Sequence, residues 1–138
     1  MIRKSLLVSF LSLLTFVGML SAQESKLYTA TVFGIQSDGV TDNTTSIQKA
    51  IDFIHEKGGG TLVFYVGRYL TGSVELKSNV TIRMASGAVL VSSPLTYDYK
   101  GIGGQTALIF AKDQENIGIE GKGVLEGSGL AIQADIAK

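Results

Sequence analysis

The sequence contains no cysteine, one histidine and one proline, and its acidic and basic residues balance at formal net charge +0. Without cysteine there is no disulfide framework, thiolate metal site, thiol nucleophile or lipid-modified cysteine anchor. Balanced charge gives no electrostatic reason to expect nucleic acid or an anionic membrane as partner. A single imidazole, His55, has no partners nearby in sequence for catalysis or metal binding, and late in a helix it reads as a surface residue. What the sequence does have is glycine, 17 residues of it, spread through 138 positions.

Residues 1–22 read as a targeting segment. Arg3 and Lys4 are basic, residues 6–20 form an apolar run, and Ser21-Ala22 supplies small residues where a signal peptidase cuts. The run is shorter than the roughly 20 residues that a membrane span needs. The expectation is a cleaved secretory signal over 1–22, with a retained anchor as the alternative. A mature chain over 23–138 would then be secreted or periplasmic, with no membrane contact after cleavage.

The mature part divides at Gly58-Gly59-Gly60. Before it, Ile47, Ala50, Ile51 and Ile54 recur at helical spacing behind three credible N-caps, Thr41, Asp42 and Asn43. Gln48, Lys49, Asp52, His55, Glu56 and Lys57 fall largely off the apolar face, and Lys57-Gly58 is a sensible stop. Residues 29–35 read as a short strand ending at the turn Ser37-Asp38-Gly39. After Gly60 the spacing predicts strands of three to five residues at 61–64, 69–71, 80–83, 88–91, 107–110, 117–119 and 124–125.

Two segments look alike: Asn79-Val80-Thr81-Ile82 followed by Gly87-Ala88-Val89-Leu90, and Asn116-Ile117-Gly118-Ile119 followed by Gly123-Val124-Leu125. A looser pair joins Gly60-Thr61-Leu62-Val63-Phe64 with Thr106-Ala107-Leu108-Ile109-Phe110. Short apolar strands recurring between turns, with no second helix, suggest a solenoid whose rungs stack into one core.

Three stretches together carry a family resemblance. They are Phe33-Gly34 to Asp38-Gly39-Val40-Thr41-Asp42-Asn43-Thr44 leading into the helix, Gly58 to Phe64 with Gly67-Arg68-Tyr69-Leu70-Thr71-Gly72, and Leu76 to Ile82 with Ala85 to Leu90 and Ile119 to Gly127. The set resembles the N-terminal part of polygalacturonases and the related rhamnogalacturonase and pectate-lyase-like proteins, over residues 33 to about 129. The resemblance implies an all-β solenoid, a right-handed parallel β-helix of which these are the first rungs, with an N-terminal capping α-helix. Where the family usually has proline before Gly-Arg-Tyr, this sequence has Tyr65-Val66.

The resemblance also implies a secreted glycoside hydrolase acting on pectin or a related polyuronide, with a pectate-lyase-like protein or a non-catalytic glycan-binding module as alternatives. Catalytic residues do not carry over: no Asn-Thr-Asp, Asp-Asp or Gly-His-Gly pattern occurs, so the sequence assigns no catalytic, cofactor-binding or metal residue. The expected chain is a truncated set of first coils, and polysaccharide is the partner of the full-length parent.

The remaining candidates have plainer readings beside them. Asp38 and Asp42 loosely suggest calcium, but an EF-hand-like loop wants a glutamate where Lys49 stands, and turn and cap explain both. Gly121-Lys122-Gly123-Val124-Leu125-Glu126-Gly127 misses a dinucleotide fingerprint by one residue and reads as a glycine-pinned turn. Asn43-Thr44-Thr45 and Asn79-Val80-Thr81 match the N-glycosylation pattern, with capping and turn roles as the alternative. Glu120 and Glu126 are a carboxylate pair of the kind glycosidases use, or solvated loop positions. Tyr97 and Tyr99 could face a sugar chain or pack against the coil.

Overall fold

The protein is described from a computed structural model, in which residues 24–129 are placed. The signal-peptide expectation therefore lies outside the described residues. Twelve strands, two short 3-10 turns and one α-helix follow one another in this region.

Strands β1 (Leu27–Thr29), β3 (Gly60–Phe64), β6 (Val80–Met84) and β11 (Gly118–Gly121) form one parallel sheet in that order. A second sheet runs β2 (Asp38–Asp42), β4 (Gly67–Thr71), β7 (Ala88–Ser92) and β12 (Val124–Glu126), also parallel. β5 (Val74–Glu75) and β10 (Ile109–Phe110) make a third, two-stranded parallel sheet. The chain thus visits three sheets in turn and steps one strand along each time, which is a right-handed parallel β-helix. Gly60 pairs with Val80 and Gly67 with Ala88, a turn of about 20 residues, at the short end of solenoid repeats.

Alternation fixes which side chains enter the core. β6 and β7 both run buried, half-buried, buried, so Val80, Ile82, Met84, Ala88 and Leu90 point inward. β3 is buried along its whole length, and its Leu62 and Phe64 share one core with the apolar face of α1 (Thr44–Glu56). Phe64 and Tyr69 meet edge to face at 5.0 Å inside the coil.

The predicted helix is present, and its apolar residues Ile47, Ala50, Ile51 and Ile54 are all buried. Burying each isoleucine contributes about 1.5–3 kcal/mol as an upper figure. α1 sits where the first coil would place a strand beside β5. Gln48 completes the substitution: its Oε1 accepts from Glu75 N at 2.8 Å and its Nε2 donates to Glu75 O at 3.0 Å. One side-chain amide so does for the exposed edge of β5 what a neighbouring strand would do. Replacing Gln48 with leucine leaves that N–H and C=O unpaired; we expect a loss of about 1–3 kcal/mol in urea unfolding, and a loss below about 0.5 kcal/mol would show the pairing idle.

Three expectations need correction. Residues 29–35 are not one strand: β1 ends at Thr29, and Ala30–Phe33 is a 3-10 turn closed by Gly34 in the left-handed conformation (φ 73°). The turn lets Phe33 swing into an aromatic cluster with Tyr28 and Phe53, with ring centroids 5.6–6.4 Å apart. Residues 107–110 are split, since Ala107 closes one hairpin strand and Ile109 opens β10. The looser repeat pair does not stack either: residues 60–64 lie in the first sheet and 109–110 in the third. The closer pair does stack, with β6 against β11 and β7 against β12. Its two leading asparagines, Asn79 and Asn116, both adopt positive φ (66° and 52°), and Asn116 Nδ2 donates to Asn79 Oδ1 at 3.1 Å.

The missing proline costs the fold no turn. Gly67 N donates to Gly87 O at 3.1 Å and the Tyr69 hydroxyl to Tyr65 O at 3.0 Å, so Tyr65-Val66 is held from both sides.

Before α1, Asp38 organises its loop by accepting from Val40 N, Thr41 N and the Thr41 hydroxyl. Those bonds, the Thr41 hydroxyl first, hold its carboxyl down at about 2 from an ordinary 3.8. A carboxyl with a depressed folded pKa contributes stability above its unfolded pKa and loses it as pH falls through the folded one. Acid titration should therefore destabilise this loop between about pH 4 and pH 2, and Asp38→Asn should remove that part of the pH dependence in urea midpoints measured across the window.

Candidate functional site

Glu120 and Glu126 sit on strands, not in loops, and on two different sheets. Glu120 lies opposite Arg83 in register, with Arg83 Nε donating to Oε1 at 2.5 Å. Glu126 accepts from Arg68 Nη2 at 2.7 Å, the arginine reaching diagonally past β7. That hydrogen bond pulls the Glu126 carboxyl below its usual range. Both pairs are about half exposed, so they are worth little to stability, but each sets its carboxylate against its own arginine. A glycosidase acid must be held protonated and its partner must face the same bond. Here the two carboxylates lie on separate sheets, each on its own arginine, and do not face one bond.

The other single-residue candidates take structural places. His55 is exposed, with Nδ1 at 2.8 Å from Ser78 O, which ties the end of α1 to the next coil. Asp42 Oδ1 accepts from Thr44 N at 2.9 Å and caps the helix from one residue before its N-cap, Asn43. Asp38 and Asp42 are both spent on local N–H and hydroxyl groups, and among the described residues no three His, Asp or Glu side chains gather as a metal site. Asn43 is buried to 1% and its amide bonds Gln36 N, Gln36 O and Thr41 O, so it is no glycan acceptor in the folded chain. Gly121 and Gly123 are pinned as expected: a Cβ on Gly121 would stand 2.1 Å from Met84 O, and one on Gly123 2.5 Å from Met84 Cβ. Tyr99 packs in, donating to Ser93 O, while Tyr97 is 76% exposed.

What the sequence reading missed is a groove between α1 and the third sheet. Thr44, Thr45, Gln48, Lys49 and Asp52 form its helical wall, Ser73, Glu75, Lys77 and Phe110 its sheet side, and Lys100 its far rim, around about 340 Å³. Lys100 opens an antiparallel hairpin, β8 (Lys100–Ile102) and β9 (Gln105–Ala107), inserted between β7 and β10. Its turn, Gly103-Gly104, has both residues at positive φ, the geometry a two-residue hairpin demands. Ser73 anchors the hairpin base, accepting from Lys100 N at 2.7 Å and donating to Ala107 O at 2.5 Å.

The geometry defines a class first: a right-handed parallel β-helix closed at one end by an amphipathic helix, the architecture that enzymes working along polysaccharide chains share. Within that class the chain is polygalacturonase-like and homologous to glycoside hydrolases. It is 32% identical over 127 residues to the exo-poly-α-D-galacturonosidase of Dickeya chrysanthemi, covering 80% of this chain and 21% of that protein. It superposes on a candidate glycosyl hydrolase of Parabacteroides merdae with a TM-score of 0.77 and 60% identity, over 81% of this chain and 49% of that one. The family 28 exopolygalacturonase of Yersinia enterocolitica matches with a TM-score of 0.66 and 31% identity, over 75% and 21%. The chain thus spans about a fifth of the two galacturonate-cleaving relatives and about half of the Parabacteroides chain. No family model matches it.

Proposed function

We propose that this chain supplies the capped first coils of a secreted polygalacturonase-like glycoside hydrolase acting on pectin or a related polyuronide. The observation that supports it most is the contrast between the two ends of the stack. At one end α1 covers β5 and the coil interior. At the other, Ile119 and Leu125 stand opposite the buried Ile82 and Leu90 yet are 45% and 51% exposed. Inward-facing apolar side chains half open to water, beside edges of β11 and β12 that no further strand pairs among the described residues, are what a solenoid shows where another coil belongs.

In such a hydrolase, paired aspartates on further coils protonate the glycosidic oxygen and activate water. The coils described here carry no such pair, so their part is to nucleate and close the stack. The 138-residue chain alone should release no reducing ends from polygalacturonate, whereas the polypeptide carrying the further coils should release saturated galacturonides. Product from the chain alone, or unsaturated uronides from the longer polypeptide, would overturn the hydrolase reading, the latter in favour of a lyase. Residues 1–22 would direct export, so mass spectrometry of exported protein should find Gln23 at its N-terminus, and intact Met1 would contradict secretion by cleavage.

A further inference from the structure

The groove between α1 and the third sheet holds more charge than the fold consumes. Of its five charged side chains, Glu75 is taken by Lys77 Nζ at 2.9 Å, and Asp52 Oδ1 accepts the Gln48 amide at 3.0 Å. Gln48 is itself committed to the backbone of Glu75. Lys49, on the helical wall, and Lys100, on the hairpin rim, have no carboxylate partner among the described residues. Three ammonium groups against two carboxylates leave the groove one positive charge in excess, and Lys49 and Lys100 overhang it from opposite sides, with half-buried Phe110 on its sheet side.

This combination has a chemical meaning. An unpaired ammonium group overhanging a partly enclosed groove attracts an anion more strongly than one in open water. An aromatic ring beside it offers an apolar face to the C–H side of a pyranose. The volume lies at the small end of ligand pockets and suits one or two sugar units, not a long segment. Nothing about the fold requires the lysines: α1 is seated by its isoleucines and Gln48, and the hairpin base is tied by Ser73.

We infer that this groove is an accessory binding site for an anionic sugar unit, with Lys49 and Lys100 taking its carboxylate and Phe110 its ring face. The choice of a uronate over another anionic sugar rests on the polyuronide reading above. The site would grip polymer at the capped end of the stack, apart from any catalytic coil. It would add affinity by holding a second point of a long chain.

The test is calorimetric titration of the 138-residue chain with trigalacturonate, beside neutral galactotriose. We expect saturable binding to trigalacturonate only, weakening as salt rises. Lys49→Gln with Lys100→Gln should weaken it by about tenfold or more, as loss of two charge-assisted contacts does, with unchanged circular dichroism. If that pair fails to fold, Lys100→Gln alone, on the hairpin rim, serves the same comparison. Absent binding, equal binding of the neutral sugar, or full affinity in the variants would overturn the inference. The parent's activity is read separately. A parent that cleaves polygalacturonate while this groove binds nothing sinks the inference alone, and a groove that binds under an inactive parent sinks only the hydrolase reading.

Discussion

Replacing Ile51 with alanine should cost the chain about 2–5 kcal/mol, the usual range for a large aliphatic side chain deleted from a packed core. Ile51 is 0% exposed at the centre of the α1 face, flanked by Ile47 and Ile54. Its loss opens a cavity beneath the middle of the face that seats the helix. The coils beyond gain their order from that closed end, because a parallel strand edge contributes only when the next rung lies on it. Total stability of a domain this size is about 5–15 kcal/mol, so the variant should lose a large share of it and show a much lower urea midpoint. Lys49→Ala, two residues away and exposed, is the control and should stay within about 0.5 kcal/mol of the parent. If Ile51→Ala behaves like the control, the helix is an ornament and not the closure of the stack.

The second large effect is expected at Asn43. Its amide receives Gln36 N at 2.8 Å and donates to Gln36 O at 2.9 Å and Thr41 O at 3.1 Å, all within a side chain 1% exposed. Asn43→Ala strips those backbone groups of their partner where water enters poorly, and each orphaned group costs about 1–3 kcal/mol. Asn43→Asp is the sharper variant, since it keeps an acceptor for Gln36 N but sets a carboxylate against two carbonyls. We expect the aspartate variant to be at least as damaging as alanine near neutral pH and to recover when the carboxyl is protonated. Equal urea midpoints for Asn43→Asp and the parent at neutral pH would show that the two donated bonds carry no weight.

Asn43 also shows where the sequence could be read and where it could not. As Asn-Thr-Thr before an apolar helix it has two familiar meanings, cap and glycan acceptor; it does stand at the N-cap position, but its side chain makes no cap bond. Asp42 does the capping from one position earlier, and Asn43 turns inward to stitch Gln36. The helix itself was plain, because Ile47, Ala50, Ile51 and Ile54 obey a 3.6 period and three glycines stop it. β6 and β7 were plain for the opposite reason, a strict alternation with one face buried. β2 was hidden, since Asp38 to Asp42 is spelled in turn residues, is mostly exposed, and is a strand only because β4 pairs with it. The hairpin had a signal that went unread: Gly103-Gly104 between two short runs is a two-residue hairpin turn. The groove had none. Lys49, Glu75, Lys77 and Lys100 have no common spacing, and only stacking of successive coils brings them to one place.

The polygalacturonase-like resemblance rested on residues that shape turns and close the end of the stack. The two glutamates that looked most like a catalytic pair are each bound to an arginine on a separate sheet.

The measurement that bears most directly on this account is the coding sequence downstream of Lys138. We expect an in-frame continuation of further short-strand coils, with asparagine-led turns stacking on Asn79 and Asn116 and with aspartate pairs and a histidine on later strands. A stop codon directly after Lys138 would contradict the proposal that these are the first coils of a hydrolase, and would leave a small capped solenoid whose lysine groove is its only candidate for a role among the residues described.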